Sequence, residues 1–116
     1  MIRQWTKDDI FRWHMEALPD CTINEQRIKA HKESKEFYDA RRNGDYASRL
    51  EELADVYIAN AALWTRYHDF NGRLMVEFIE RSKKWDEIAE AVDCKMDINA
   101  TRKYIKKNGE WRHEEE

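Results

Sequence analysis

Almost nothing in this chain breaks a helix. Pro19 is the single proline, and only three glycines occur in 116 residues. Glu, Lys, Arg, Ala and Leu, all good helix formers, are abundant. A chain of this kind is helical along most of its length, so the informative question is where each helix stops.

Capping residues answer it. Thr6, with Asp9 three residues on, is a variant of the capping box and predicts a helix from about Lys7 to Leu18, ended by Pro19. Thr22 with Glu25 is a full T-x-x-E box and starts a second helix that runs to about Arg41. "RNGD" reads as a tight turn, because Asn43 and Gly44 tolerate positive φ. A third helix follows from about Tyr46 to Tyr67, with Leu50, Leu53, Ala54, Tyr57, Ala61 and Trp64 at helical spacing. "DFNG", around Asn71 and Gly72, breaks it. A short fourth helix is expected over Leu74 to Arg81, and a fifth, capped by Ser82, from about Trp85 to Lys106. Gly109 is expected to end the fifth helix, leaving residues 108–116 as a frayed tail. No alternating strand pattern is read. The expectation is an all-α antiparallel bundle of four to five helices in one domain over residues 1–116. The short turn at Asn43-Gly44 makes the second and third helices antiparallel neighbours.

The net charge of −3 gives no global sign of nucleic-acid binding, and none is expected. No apolar run approaches the length of a membrane span, and "MIRQWTKDDI" lacks the apolar core of a signal peptide. Cys21 and Cys94 are read as free thiols of a reducing compartment, so the expected setting is the cytoplasm. His14, Cys21, His31, His68, Cys94 and His113 have no zinc-ligand spacing, and the chain holds neither a Gly-rich phosphate loop nor a nucleophile elbow.

The acidic residues carry more. Glu33 and Glu36 lie three apart on the second helix; Glu52 and Asp55 lie three apart on the third. Each pair projects from one helical face, and an antiparallel hairpin can bring all four carboxylates together. Two like charges about 5 Å apart repel by roughly 3 kcal/mol at an effective dielectric near 20, so the cluster needs positive charge. Lys29, Lys32 and Lys35 are near in sequence. A set of carboxylate oxygens without histidine also suits Mg²⁺, or Mn²⁺, better than zinc. In a chain so rich in charge, E-x-x-E most often marks a solvated face. Asp55 departs from that pattern, since it opens the most apolar stretch, "VYIANAALW", and has Ile58 and Ala59 at i+3 and i+4.

These residues resemble a known signature. "KESKE", fifteen residues, then "ELAD" is similar to the E-E-x-x-E … E-x-x-D pattern of the MazG-like nucleoside triphosphate pyrophosphohydrolases, an all-α family. The resemblance covers roughly residues 22 to 104. It implies that Glu33, Glu36, Glu52 and Asp55 hold Mg²⁺, with Glu51 ranked below Glu52. The first Glu of the signature is Lys32 here, which replaces a supporting carboxylate by a cation. "KMDINATRKY" resembles the family's K-x-x-x-N-x-x-R segment. It implies phosphate contacts from Lys95, Asn99 and Arg102, whose spacings of four and three put them on one face of a helix.

The implied reaction is Mg²⁺-dependent hydrolysis of (deoxy)nucleoside triphosphates to the monophosphate and pyrophosphate, with Glu36 or Glu33 as general base. A dUTP, dCTP or phosphoribosyl-ATP substrate belongs to the same superfamily. Trp13 and Trp5 are candidates for stacking on the base, whereas Phe11 and Trp64 are expected in the core; His14 either contacts the base or, the favoured reading, lies at the surface. The family forms homodimers and dimers of dimers, and Leu53, Tyr57, Leu63, Trp64, Met75, Phe78 and Ile79 exceed what one small core holds. The alternative from another class is a non-enzymatic helical interaction protein. It uses the third helix to oligomerise and the basic "TRKYIKK" to meet an acidic partner.

Overall fold

The computed structural model describes residues 4–108 and 110–114, with the backbone alone for Glu110 and His113. Five α-helices are present among them: α1 (Lys7–Ala17), α2 (Ile23–Asn43), α3 (Tyr46–Tyr67), α4 (Phe70–Glu80) and α5 (Trp85–Asn99). They are followed by a two-stranded antiparallel hairpin, β1 (Tyr104–Lys107) and β2 (Glu110–His113). None of the helices is long and apolar enough to cross a membrane.

α3 is the centre, and α1, α2, α4 and α5 all pack on it. Its sequence explains why. From Val56 to Leu63 every residue is buried, which a helix apolar around its whole circumference requires. Ile10, Val76, Ile79, Ile88, Val92 and Met96 close the core around Ala54, Tyr57, Ile58 and Ala61. α4 crosses α3 closely because Gly72 has no side chain: a Cβ there would lie 2.8 Å from Leu63 Cβ and 2.9 Å from Asn60 O.

Both sequence-predicted capping boxes form, at Thr6/Asp9 and at Thr22/Glu25. α2 and α3 are joined by Gly44 and Asp45 alone and lie side by side. Gly44 serves a different purpose from the one expected. Its φ is −94°, so positive φ is not needed. A Cβ would instead meet Ala40 O at 2.7 Å.

Three boundaries differ from the sequence reading. α3 ends at Tyr67, as expected, with His68 at φ 56° as its cap, and Asp69 then caps α4 by accepting the Gly72 N–H at 2.8 Å. The fourth helix therefore starts at Phe70, with Asn71 and Gly72 inside it. α5 has no side-chain cap; Ser82 Oγ instead accepts the Lys84 N–H in the preceding turn. α5 also stops at Asn99, not near Lys106, and the expected frayed tail is largely a hairpin, with Tyr104 opposite His113 and Lys107 opposite Glu110. Asn-Gly is a hairpin signal, and Asn108 has the φ of 54° that such a turn demands. Gly109 lies outside the described residues.

Candidate functional site

α2 buries an unusual stripe. Gln26, Ala30 and Glu33, at i, i+4 and i+7, face α3, so two of the three inward residues are polar. Glu33 is 6% exposed. Across from it, α3 runs antiparallel and presents Glu52 and Asp55 on the margin of its apolar face. The helix pair brings one carboxylate oxygen each from Glu33, Glu36 and Glu52 within 4.8 Å of one another.

Asp55 stands beside this triad without joining it. Its carboxylate pairs with Lys95 Nζ of α5 at 3.4 Å. Glu33 is likewise paired, with Lys29 Nζ 2.6 Å from Oε1. The other oxygen of Glu33 and one of Glu52 are buried with no hydrogen-bond partner among the described residues. Shielded carboxylate oxygens without partners are costly, by about 1–3 kcal/mol or more each.

The titration behaviour follows from this crowding. Burial raises the Asp55 pKa to about 6; Lys95 opposes the rise, and Glu33 adds to it. Glu52 is pushed up by burial and then by the charges of Asp55, Glu36 and Glu33. Burial works against the charged form of Lys29, but its bond to Glu33 and the fields of Glu33, Asp55 and Glu36 outweigh it, so its pKa is raised.

Glu33, Glu36 and Asp55 line a cleft of about 990 Å³ that runs between α1, α2 and α3 on one side and α5 and the hairpin on the other, and Glu52 stands behind them. Lys95, Asn99 and Arg102 all line it. They do not share one helical face, because α5 ends at Asn99 and Arg102 belongs to the segment leading to β1. Lys32, the residue that departs from the family signature, also lines the cleft. Trp13 lines it too, with its ring edge-on to His14 and to Tyr104. Trp5 does not. It borders a neighbouring depression with Arg12, Trp13 and Arg102, and its backbone and indole N–H groups donate to Asp93 and Asp97 at 2.8 Å each, docking the N-terminal segment on α5. Trp64 packs against the core, with Lys7 and Arg73 over its ring, and Phe11 is half-buried.

His14 is not at the surface. It is 2% exposed and lies at the cleft floor. Its Nε2 is 2.7 Å from Gln26 Oε1, and its Nδ1 is 2.8 Å from Arg66 Nη1. An arginine can only donate, so Nδ1 accepts and Nε2 carries the proton. Burial lowers the His14 pKa to about 4; Gln26 opposes this and Arg66 reinforces it. Gln26 in turn donates to Ala59 O at 3.0 Å, and Arg66 donates to the carbonyls of Leu18 and Pro19 at 2.7 Å. The network ties the end of α1 to α2 and α3. The signal for it was available: Ile10, His14 and Leu18, spaced four apart, form one buried stripe.

No protein-family model, no curated protein and no solved structure matches the chain. A functional reading therefore rests on the residues and their arrangement.

Proposed function

We propose that this protein is a MazG-like, Mg²⁺-dependent nucleoside triphosphate pyrophosphohydrolase. The observation that carries the reading is the triad of Glu33, Glu36 and Glu52, which comes from two antiparallel helices and reaches a cation-lined cleft through Glu33 and Glu36. The donor set fits a hard divalent cation: every ligand is a carboxylate oxygen, and two buried carboxylate oxygens have no hydrogen-bond partner among the described residues. Glu33, Glu36 and Glu52 would hold the ion, with Asp55 alongside; Mn²⁺ fits the same donors. When bound, the ion supplies charge neutralisation for the phosphates and lowers the pKa of a coordinated water.

The chain's own groups do the rest. Arg102 and Asn99 bind and orient the phosphate chain, joined by Lys95 once Asp55 is otherwise engaged. Glu36 or Glu33 takes the proton from the attacking water. The water oxygen bonds to phosphorus, the bond to the bridging oxygen breaks, and pyrophosphate leaves. Trp13 offers an aromatic face to the base. The alternative reading, an interaction protein built on the third helix, loses its surface, because α3 is enclosed by four other helices. Self-association fits α4 better: Phe70, Leu74 and Phe78, at i, i+4 and i+8, are 66%, 48% and 75% exposed along one stripe. A second copy of the chain is the partner proposed for it.

The decisive experiment is pyrophosphate release from a panel of standard and modified (d)NTPs, in Mg²⁺ and in EDTA, for wild type and Glu52→Gln. Release that needs the metal and disappears in the variant is the expected result, and the panel ranks the bases. Folded protein that releases nothing and binds no Mg²⁺ in calorimetry would overturn the reading.

A further inference from the structure

The cations the sequence points to are not enough for a polyphosphate chain. Lys29 is engaged with Glu33, and Lys95 with Asp55. Of the two cations among the phosphate-binding residues expected from sequence, Lys95 and Arg102, only Lys95 makes an ion pair with the site acids described above. More positive charge enters the cleft from the C-terminal hairpin, where Lys107 and Arg112 line it. The hairpin is held as a wall of the cleft. Lys106 pairs with Glu25 of α2 at 3.2 Å, and Tyr104 packs edge-on against Trp13 of α1, ring centroids 5.8 Å apart. Trp111 also lines the cleft, and its indole N–H is shielded from water with no acceptor among the described residues. A buried donor without an acceptor is a place where a ligand atom gains a bond without competing with water.

We propose that the C-terminal hairpin is part of the ligand site: Lys107 and Arg112 grip the polyphosphate of a nucleoside triphosphate, and the Trp111 indole N–H donates to its nucleoside. This names residues for the reading above and rests on it for the identity of the ligand. The geometry divides the nucleotide between two walls. The acid wall of α2 and α3 takes the metal-bound part, and the hairpin wall takes phosphate charge and a nucleoside acceptor. Lys107 and Arg112 are exposed, so replacing them leaves the core intact.

The test is calorimetric binding to the full-length protein in Mg²⁺. The probes are inorganic tripolyphosphate and the α,β-methylene analogues of dUTP and ATP. The Lys107→Gln/Arg112→Gln double variant should bind tripolyphosphate about tenfold more weakly and with a shallower salt dependence, while Lys107→Arg/Arg112→Lys retains binding. Trp111→Phe should leave tripolyphosphate binding unchanged and weaken the better-bound nucleotide analogue about fivefold. Unchanged tripolyphosphate affinity in the double Gln variant, at unchanged helical signal and Tm, overturns the phosphate role; unchanged analogue affinity in Trp111→Phe overturns the indole role. The two readings separate cleanly. Wild-type protein that binds tripolyphosphate through the hairpin yet hydrolyses no nucleotide sinks the hydrolase and keeps the wall. A wild type that hydrolyses, with variants that bind as it does, does the reverse. A wild type that binds none of the probes overturns both.

Discussion

Lys95 of α5 and Asp55 of α3 form an ion pair, Nζ to Oδ2 3.4 Å, at the edge of the carboxylate triad. The pair joins a residue expected to bind phosphate to one expected to bind metal. It nonetheless leaves Asp55 with a pKa of about 6, above its ordinary 3.8, because burial, helped by the charge of Glu33, outweighs Lys95 and Lys29. Since the folded value exceeds the unfolded one, the folded state favours the protonated acid. The contribution of Asp55 to stability is therefore greatest below about pH 3.8 and declines as pH rises through about 6. Asp55→Asn should stabilise the protein at pH 7.5 by about 2–3 kcal/mol, with little effect at pH 3.5, while abolishing pyrophosphate release. Urea unfolding at the two pH values checks it; a variant less stable than wild type at pH 7.5 contradicts it.

His14 acts with the opposite sign. Its pKa falls from 6.5 to about 4 on folding, so its contribution is complete above pH 6.5 and is lost as pH drops toward 4. The amount is about 3 kcal/mol. Between pH 4 and 6 the Asp55 and His14 contributions oppose each other, and wild-type stability should change less than either alone requires. Asp55→Asn should unmask the acid sensitivity of His14. His14→Gln should remove that sensitivity at some cost in packing. Stability that varies identically with pH in wild type and Asp55→Asn would show that the two groups do not offset each other.

Divalent metal should stabilise the fold because it relieves a cluster of carboxylates that repel one another. Millimolar Mg²⁺ is expected to raise Tm by several degrees, equivalent to about 1–3 kcal/mol if the concentration exceeds Kd by ten- to a hundredfold. Glu52→Gln removes one of the crowded charges. In EDTA it should melt at or above the wild-type temperature, and it should lose the response to Mg²⁺. A variant that melts lower in EDTA and still responds to Mg²⁺ speaks against a metal held by this triad.

Gly72 tests the packing that sets the bundle. An added methyl would press on Leu63 Cβ at 2.8 Å and on the Asn60 carbonyl at 2.9 Å, and neither can swing aside. Gly72→Ala should cost about 1–3 kcal/mol through forced separation of α3 and α4, even though alanine is the better helix former by about 1 kcal/mol. A neutral or stabilising result in chemical denaturation would mean that the two helices part without loss.

What could be read from sequence was local. Thr6/Asp9 and Thr22/Glu25 announce their helices because a cap is a bond between residues three apart. The i, i+3 spacing of the acids follows from helix geometry alone. Lys95 pairing with Asp55, and Arg66 reaching His14, depend on how distant helices pack, and no local pattern encodes that. Other features were legible but outweighed. Helix-forming neighbours mask the hairpin signal of Asn108-Gly109, and Gly72, which reads as a breaker, masks Asp69 as the cap three residues before it. The polarity of His14 points to the surface, but its position on the stripe of Ile10 and Leu18 points inward, and burial wins. Asp55 lies between these cases. Its apolar neighbours pointed to a half-buried carboxylate, and long-range packing supplied the partner.

The exposed stripe of Phe70, Leu74 and Phe78 gives the last prediction. Three large apolar side chains on one face of an eleven-residue helix stand in water, and a surface that covers them gains the free energy of their burial. Burying a phenylalanine side chain contributes about 1.5–3 kcal/mol, so the stripe, counted on two copies, offers enough driving force for a dimer. Wild-type protein should sediment as a dimer or larger assembly at micromolar concentration. Phe70→Ser/Phe78→Ser should shift it to monomer by at least a hundredfold in Kd. Because both residues face outward, the monomer should keep its helical signal. A wild type that remains monomeric at high concentration would rule out this face as a self-association surface and leave the stripe for another partner.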